Sequence, residues 1–186
     1  MRRRILASVG VKPLPYLREV AYLESDGNQY VKLLDKGTSA QFNIKADFTI
    51  LQLYDGSFKY FLAGGFDSCL GWYGGKIRYY NHTVISSPVI NKRYLIESYG
   101  RNEAVDFYVF GGLLNKTDDH PSGLTRFRLH SFALGKHSVS SEDYSVIDVI
   151  PVLDLDCRPC LYDKLNGGLY YNQGTGEFTW GELETV

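Results

Sequence analysis

A chain of 186 residues with a formal net charge of -1 is long enough for one domain with a sizeable core, and its charge balance gives no electrostatic basis for binding nucleic acid or an acidic membrane surface. The 15 Tyr, 10 Phe and 19 Gly stand against a single Met, a balance of strand-forming rings and turn-forming glycines that points away from a helical protein. No run reaches the roughly 18 apolar residues of a membrane-spanning helix, so membrane insertion is not expected.

Residues 1–15 are basic at Arg2-Arg3-Arg4 and then carry Pro13 and Pro15, which impose extended backbone. They read as an extended N-terminal arm outside the domain that is disordered alone or docks on a neighbouring subunit, with an untidy terminus as the alternative. The apolar run after Arg4 is shorter than a signal-peptide core and stops at Lys12-Pro13, so no signal peptide is expected.

From Tyr16 onward short apolar runs alternate with turn signals. Strands are predicted over Leu17–Leu23, Gln29–Leu33, Phe42–Leu53, Tyr60–Phe66, Ile77–Asn81, Arg93–Tyr99 and Val105–Phe110, and then over Thr125–Ala133, Tyr144–Val149, Leu169–Asn172 and Glu177–Trp180. Apolar residues recur every second position from Phe42 to Ile50, and Arg126 to Phe132 shows the same period, so each buries one face. Val105–Phe110 is more continuously apolar and suits a central strand. Turns are marked by Asp55-Gly56, Gly64-Gly65, Gly74-Gly75, Gly111-Gly112, Ser122-Gly123 and Gly167-Gly168. The best helical candidate is one turn near Ser140–Asp143, capped by Ser140 or Ser141. Many short strands with regular turns imply a single all-β domain over residues 16–186, a two-sheet sandwich.

The segment from Tyr170 to Phe178 carries residues with positional roles. Gly174 and Gly176 suit a turn that needs positive φ, Asn172 can bond locally to the backbone, and Tyr170 and Phe178 flank the turn as strand anchors. The segment reads as an aromatic hairpin closing the domain.

Two segments carry a family resemblance. Val20-Ala21-Tyr22-Leu23-Glu24-Ser25-Asp26-Gly27-Asn28-Gln29-Tyr30-Val31 and the closing run from Pro151-Val152 through Tyr162-Asp163 to Tyr171-Asn172-Gln173-Gly174-Thr175-Gly176-Glu177-Phe178 resemble the opening and closing signatures of concanavalin A-like, laminin-G-like jelly-roll domains. Such domains are common in phage, prophage and gut-bacterial proteins. The signatures bracket nearly the whole chain; Lys59–Gly65 and Arg126–Leu134 match the middle loosely. The resemblance implies a two-sheet antiparallel jelly-roll sandwich of the lectin/glucanase type and says little about function.

Glucanases of this fold need two carboxylates facing one cleft, about 5–5.5 Å apart in retaining enzymes. Glu103 and Asp106 are spaced i, i+3, which puts them on opposite faces of a regular strand. Asp148, Asp154 and Asp156 lack an associated Glu and read as solvated strand ends. Enzyme activity is therefore not expected. Calcium requires roughly six to eight oxygen ligands, and Asp118-Asp119, Asp154 with Asp156, or an isolated Asp67 fall short of a site, so no cofactor is expected. The histidines, His82, His120, His130 and His137, are scattered. Cys157-Arg158-Pro159-Cys160 has C-x-x-C spacing but lacks a second ligand pair for zinc and a helical context for redox chemistry, so ordinary thiols are favoured over a disulfide.

The best candidate for ligand binding is the aromatic cluster Trp72, Tyr73, Tyr79, Tyr80, Asn81 and His82. Aromatic faces stack on the apolar faces of sugar rings, and Asn and His bond hydroxyls. Gly71, Gly74 and Gly75 bracket Trp72, which places it at an exposed hairpin tip; Tyr79 and Tyr80 are consecutive, so one of them faces the core. The expected function is a non-catalytic phage or prophage virion module (fibre, tail or capsid decoration) that contacts other virion proteins or itself through the arm, with host or mucosal glycans as candidate ligands. It would reside in the virion, or in host cytoplasm before assembly. The alternatives are a cellular carbohydrate-binding module or a glycan-active enzyme.

Overall fold

A computed structural model of the chain describes residues 13–34, 41–54, 60–65, 69–99, 106–115, 117, 119–138 and 141–183. Residues 1–12 of the expected arm, the Asp55-Gly56 turn, Asp67, Glu103 and Asp118 lie outside them. The described residues form fifteen strands and no helix: β1 (Tyr16–Glu19), β2 (Tyr22–Glu24), β3 (Val31–Leu34), β4 (Gln41–Ile50), β5 (Phe61–Gly64), β6 (Cys69–Tyr73), β7 (Lys76–Tyr79), β8 (His82–Ile85), β9 (Arg93–Tyr99), β10 (Phe107–Val109), β11 (Phe127–Ser138), β12 (Ser141–Asp154), β13 (Pro159–Asp163), β14 (Leu169–Tyr170) and β15 (Thr179–Gly181).

They make two antiparallel sheets, an arrangement consistent with the expected jelly-roll sandwich. The smaller sheet runs β3-β10-β5-β6-β7-β8. The larger runs β14-β13-β12-β11-β2-β15, with β4 on the other side of β11 and β9 beyond β4. Its long strands fork. β12 pairs with β11 as far as Val149 and takes β1 as partner from Val152 onward. Pro151 sits at that seam, where its carbonyl accepts the Val20 N–H at 3.1 Å, so its missing N–H falls where β11 has left.

The core lies between the sheets. Phe42, Ile44, Ala46, Phe48 and Ile50 are all buried, as the alternation in β4 requires. In β11 Phe127 and Leu129 are buried, but the next buried residue is Phe132. A bulge between Leu129 and Ser131 resets the strand and breaks the period read from sequence. β10 is buried along its whole length between β3 and β5, the central strand that its continuous apolar character predicts.

The bulge also gives His130 a structural task. Its Nδ1 lies 2.8 Å from the Ala21 carbonyl and its Nε2 lies 2.9 Å from Thr49 Oγ1. A carbonyl only accepts, so Nδ1 carries the proton and Nε2 of the neutral ring accepts from the threonine hydroxyl. Burial lowers the His130 pKa below 6.5, against the opposing pull of the Ala21 hydrogen bond. The unfolded chain therefore binds a proton at a pH where the folded one does not, and stability falls as pH drops from 6.5 through the folded value. Replacing His130 by Gln is expected to flatten that slope, read as melting temperature against pH.

Several local expectations are corrected. Ser141–Asp143 belongs to β12, not to a helical turn, because the strand continues to pair with β11 as far as Ser141. β6, β8 and β13 are strands that punctuation hid. Gly71 in β6 is a close approach rather than a turn: a Cβ there would lie 2.6 Å from the Tyr60 carbonyl oxygen. Pro159 opens β13, a position where the ladder tolerates proline. Finally, β14 and β15 do not form a hairpin, since they stand at opposite ends of the β14-to-β15 path.

Candidate functional site

The six residues of the predicted aromatic cluster do not converge. Trp72 and Ile77 are register partners in β6 and β7, and Trp72 is 2% exposed. Tyr79 is 0% exposed, and its hydroxyl donates to the Phe42 carbonyl at 3.2 Å. Both are core residues, so the expectation of Trp72 at an exposed tip is corrected. The tip is Gly74-Gly75, with φ of 59° and 73° and open space around both. Tyr73 is exposed beside that tip, with the Arg78 guanidinium 5.1 Å from its ring centroid. Tyr80, Asn81 and His82 lie at the other end of β7; Asn81 and His82 are exposed, and the His82 ring lies 4.8 Å from that of Tyr99. Strand alternation and the length of β7 separate what looked contiguous in sequence.

A different place gathers polar and aromatic groups. A groove of about 310 Å³ lies between the β12–β13 turn and the segment 171–178, lined by Arg158, Tyr171, Asn172, Glu177 and Phe178 among others. One wall is organised by Asp154, which is 3% exposed. Its Oδ1 accepts the backbone N–H groups of Asp156 and Arg158, each at 2.9 Å. Its Oδ2 accepts Arg158 Nε at 2.9 Å and the Tyr171 hydroxyl at 3.0 Å. Burial raises the Asp154 pKa, but these hydrogen bonds from Arg158, Tyr171 and Asp156 outweigh it and hold the carboxyl below its ordinary range. Asp154 is thus a buried organiser, not the solvated strand end read from sequence. Arg158 stands over Tyr171 with its Cζ 5.1 Å from the ring centroid, and Nη2 also reaches Asp156 at 3.4 Å.

The other wall is a clasp between two loops. Asn172 Oδ1 accepts the N–H of Gly174 at 2.8 Å and of Tyr30 at 3.2 Å, while its Nδ2 donates to the Gly176 carbonyl at 2.8 Å. Gln173 N–H bonds the Tyr30 carbonyl at 2.9 Å, and Thr175 N–H bonds the Asn28 carbonyl at 3.1 Å. Buried Gln29 completes the clasp: Nε2 donates to the Thr175 carbonyl, and Oε1 accepts from Ser25 Oγ and Asp26 N–H. The local bonding expected of Asn172 is present, and Gly176 has the expected positive φ of 72°. Gly174 serves differently: a Cβ there would lie 2.1 Å from the Asn28 carbonyl oxygen. Phe178 anchors the segment, buried 4.6 Å from the Phe110 ring.

The thiols near the groove are free, with Cys157 exposed and Cys160 buried. Burial and then the Asp154 charge push Cys160 up to about 12, so it is a poor nucleophile. Other carboxylates are engaged too, Asp106 with Lys32 at 2.7 Å and Asp148 with Lys164 at 2.8 Å. Among the described residues no group of three His, Cys, Asp or Glu side chains is placed to hold a metal ion, and no helix is long and apolar enough to cross a membrane.

Arg158 and Tyr171 escaped the sequence reading because they sit in different strand connections. Only the pairing of β13 with β12 and β14 brings them together. The fold is an all-β sandwich, and its described residues line an aromatic-and-cationic groove between the β12–β13 turn and the segment 171–178. Compared with protein-family models, curated proteins and solved structures, the chain matches none.

Proposed function

We propose that this chain is a non-catalytic structural or adhesion module of a phage or prophage virion, of concanavalin A-like type, and that its groove binds a glycan of the bacterial or mucosal surface. The observation that carries the glycan reading is the groove itself. Tyr171 offers an apolar ring, and Arg158 still has Nη1 donors beyond those taken by Asp154 and Asp156. Glu177 is an exposed acceptor on the same lining. A flat ring with hydroxyl-bonding donors and acceptors at its margin suits a sugar better than a wholly apolar ligand. The virion setting is supported by the resemblance of the opening and closing segments, which meet in the clasp beside the groove.

The test is a glycan array probed with the full-length protein and with Tyr171→Ala. Saturable binding that weakens about tenfold or more in the variant is the expected result. Binding unchanged in Tyr171→Ala would place the glycan elsewhere. An absence of binding across bacterial and mucosal glycans would remove the adhesion role and leave a purely structural one.

A further inference from the structure

Among the described residues β9 pairs only with β4, so its other edge is open. Ile50 N–H bonds the Lys92 carbonyl at 3.2 Å, which sets the alternation along β9. Tyr94, Ile96 and Ser98 direct their backbone groups at β4; Arg93, Leu95 and Glu97 direct theirs outward. The edge carries exposed apolar side chains, Leu95 at 65% and Tyr99 at 61%, with Val89 and Ile90 exposed just before it. A seven-residue edge of this kind is a template for strand addition.

The order of charges on the edge identifies what it accepts. Arg93 and Glu97 are equidistant from Leu95 in the strand. When two copies of β9 pair antiparallel about a two-fold axis at Leu95, that residue faces its own copy, and Arg93 faces the partner's Glu97 on both sides. All three positions have outward-directed backbone groups, so the register is one that hydrogen-bonds. The neighbouring strand extends the pattern. In the β4–β9 register Thr49 opposes Arg93, Asp47 opposes Leu95 and Lys45 opposes Glu97. Asp47 takes Arg93 in two bonds of 2.7 Å. Each flank of the paired leucines then reads Asp47, Arg93, the partner's Glu97, the partner's Lys45, alternating in sign. Tyr99 falls opposite the partner's Asn91, next to the apolar 89–90 turn.

We infer that β9 is the contact edge of a symmetric dimer of this chain, joining the larger sheets of two copies into one continuous sheet with Leu95 at the two-fold axis. Edge charges ordinarily discourage pairing, but here they are self-complementary in a single register and oppose slipped ones. β8, at the edge of the other sheet on this flank, has four residues and lacks such a charge order.

Sedimentation velocity over a concentration series tests this with the full-length chain. The wild-type protein is expected to be a dimer. Glu97→Arg and Arg93→Glu each place like charges opposite one another at both positions and are expected to weaken dimerisation about tenfold or more. An equimolar mixture of the two variants restores both opposite-sign pairs and is expected to regain dimers, now as heterodimers. Circular dichroism checks that each variant is folded, and Leu95→Lys replaces either one that is not. A monomer at every concentration, a dimer indifferent to these substitutions, or a mixture that stays monomeric would each overturn the inference. None of these outcomes depends on glycan binding.

Discussion

Replacing Gly174 by alanine is expected to destabilise the protein by about 3 kcal/mol, at the upper end of what overpacking costs. For a chain of this size that lowers the melting temperature by roughly 6–12 °C. The reason is that the added Cβ would meet backbone: the Asn28 carbonyl oxygen at 2.1 Å and Gln29 Cα at 3.0 Å. No side-chain rotation relieves that contact. Relief requires the 171–178 segment to lift from the 26–30 loop, which breaks the Thr175-to-Asn28 and Gln173-to-Tyr30 bonds. The same movement would distort the groove, so the glycan affinity proposed for it should fall together with stability. Gly74→Ala is the natural control. It has positive φ but open space, and is expected to cost only about 1 kcal/mol. Thermal melts of the two variants check the contrast, and equal losses would mean that close approach at Gly174 is not what holds the clasp.

Removing the Asp154 carboxylate with Asp154→Ala should cost about 2–3 kcal/mol, because the charge-assisted hydrogen bonds it accepts from Arg158 and Tyr171 disappear together. Its pKa is depressed in the folded state, so the stabilisation is present above the ordinary value of 3.8 and is lost as pH falls through the lower folded value. Urea unfolding at neutral pH and again under acid conditions checks both parts. The gap between wild type and variant should be wide at neutral pH and close on acidification. A gap that persists in acid would assign the effect to packing rather than to the carboxylate. Tyr171 and Arg158 lose their common anchor in this variant, so the groove wall loosens as well.

Much of the sandwich was legible in the residues. Alternation of Phe42, Ile44, Ala46, Phe48 and Ile50 is a local property of one strand, and it sets which side faces the core whatever the partner. Continuous apolar character marked β10 as central for the same reason. β6 was hidden because Gly71 looks like punctuation until Tyr60 is seen against it. Period alone failed in β11, where a single bulge at His130 shifts the inward set from Leu129 to Phe132. The candidate site was less legible. Trp72, Tyr73, Tyr79, Tyr80, Asn81 and His82 are neighbours along the chain, but alternation buries Trp72 and Tyr79 and β7 parts the others.

By itself, then, the sequence determined the all-β class, the buried faces of its clearest strands and the turn chemistry of Asn172 and Gly176, because each follows from backbone preference and period within a few residues. Tertiary structure alone decided that the closing segment clasps the 26–30 loop instead of forming a hairpin, that Asp154 joins Arg158 to Tyr171, and that among the described residues β9 pairs on one side only. Each of these depends on which strands become neighbours, and that choice is made by burial of the whole core rather than by any local run of residues.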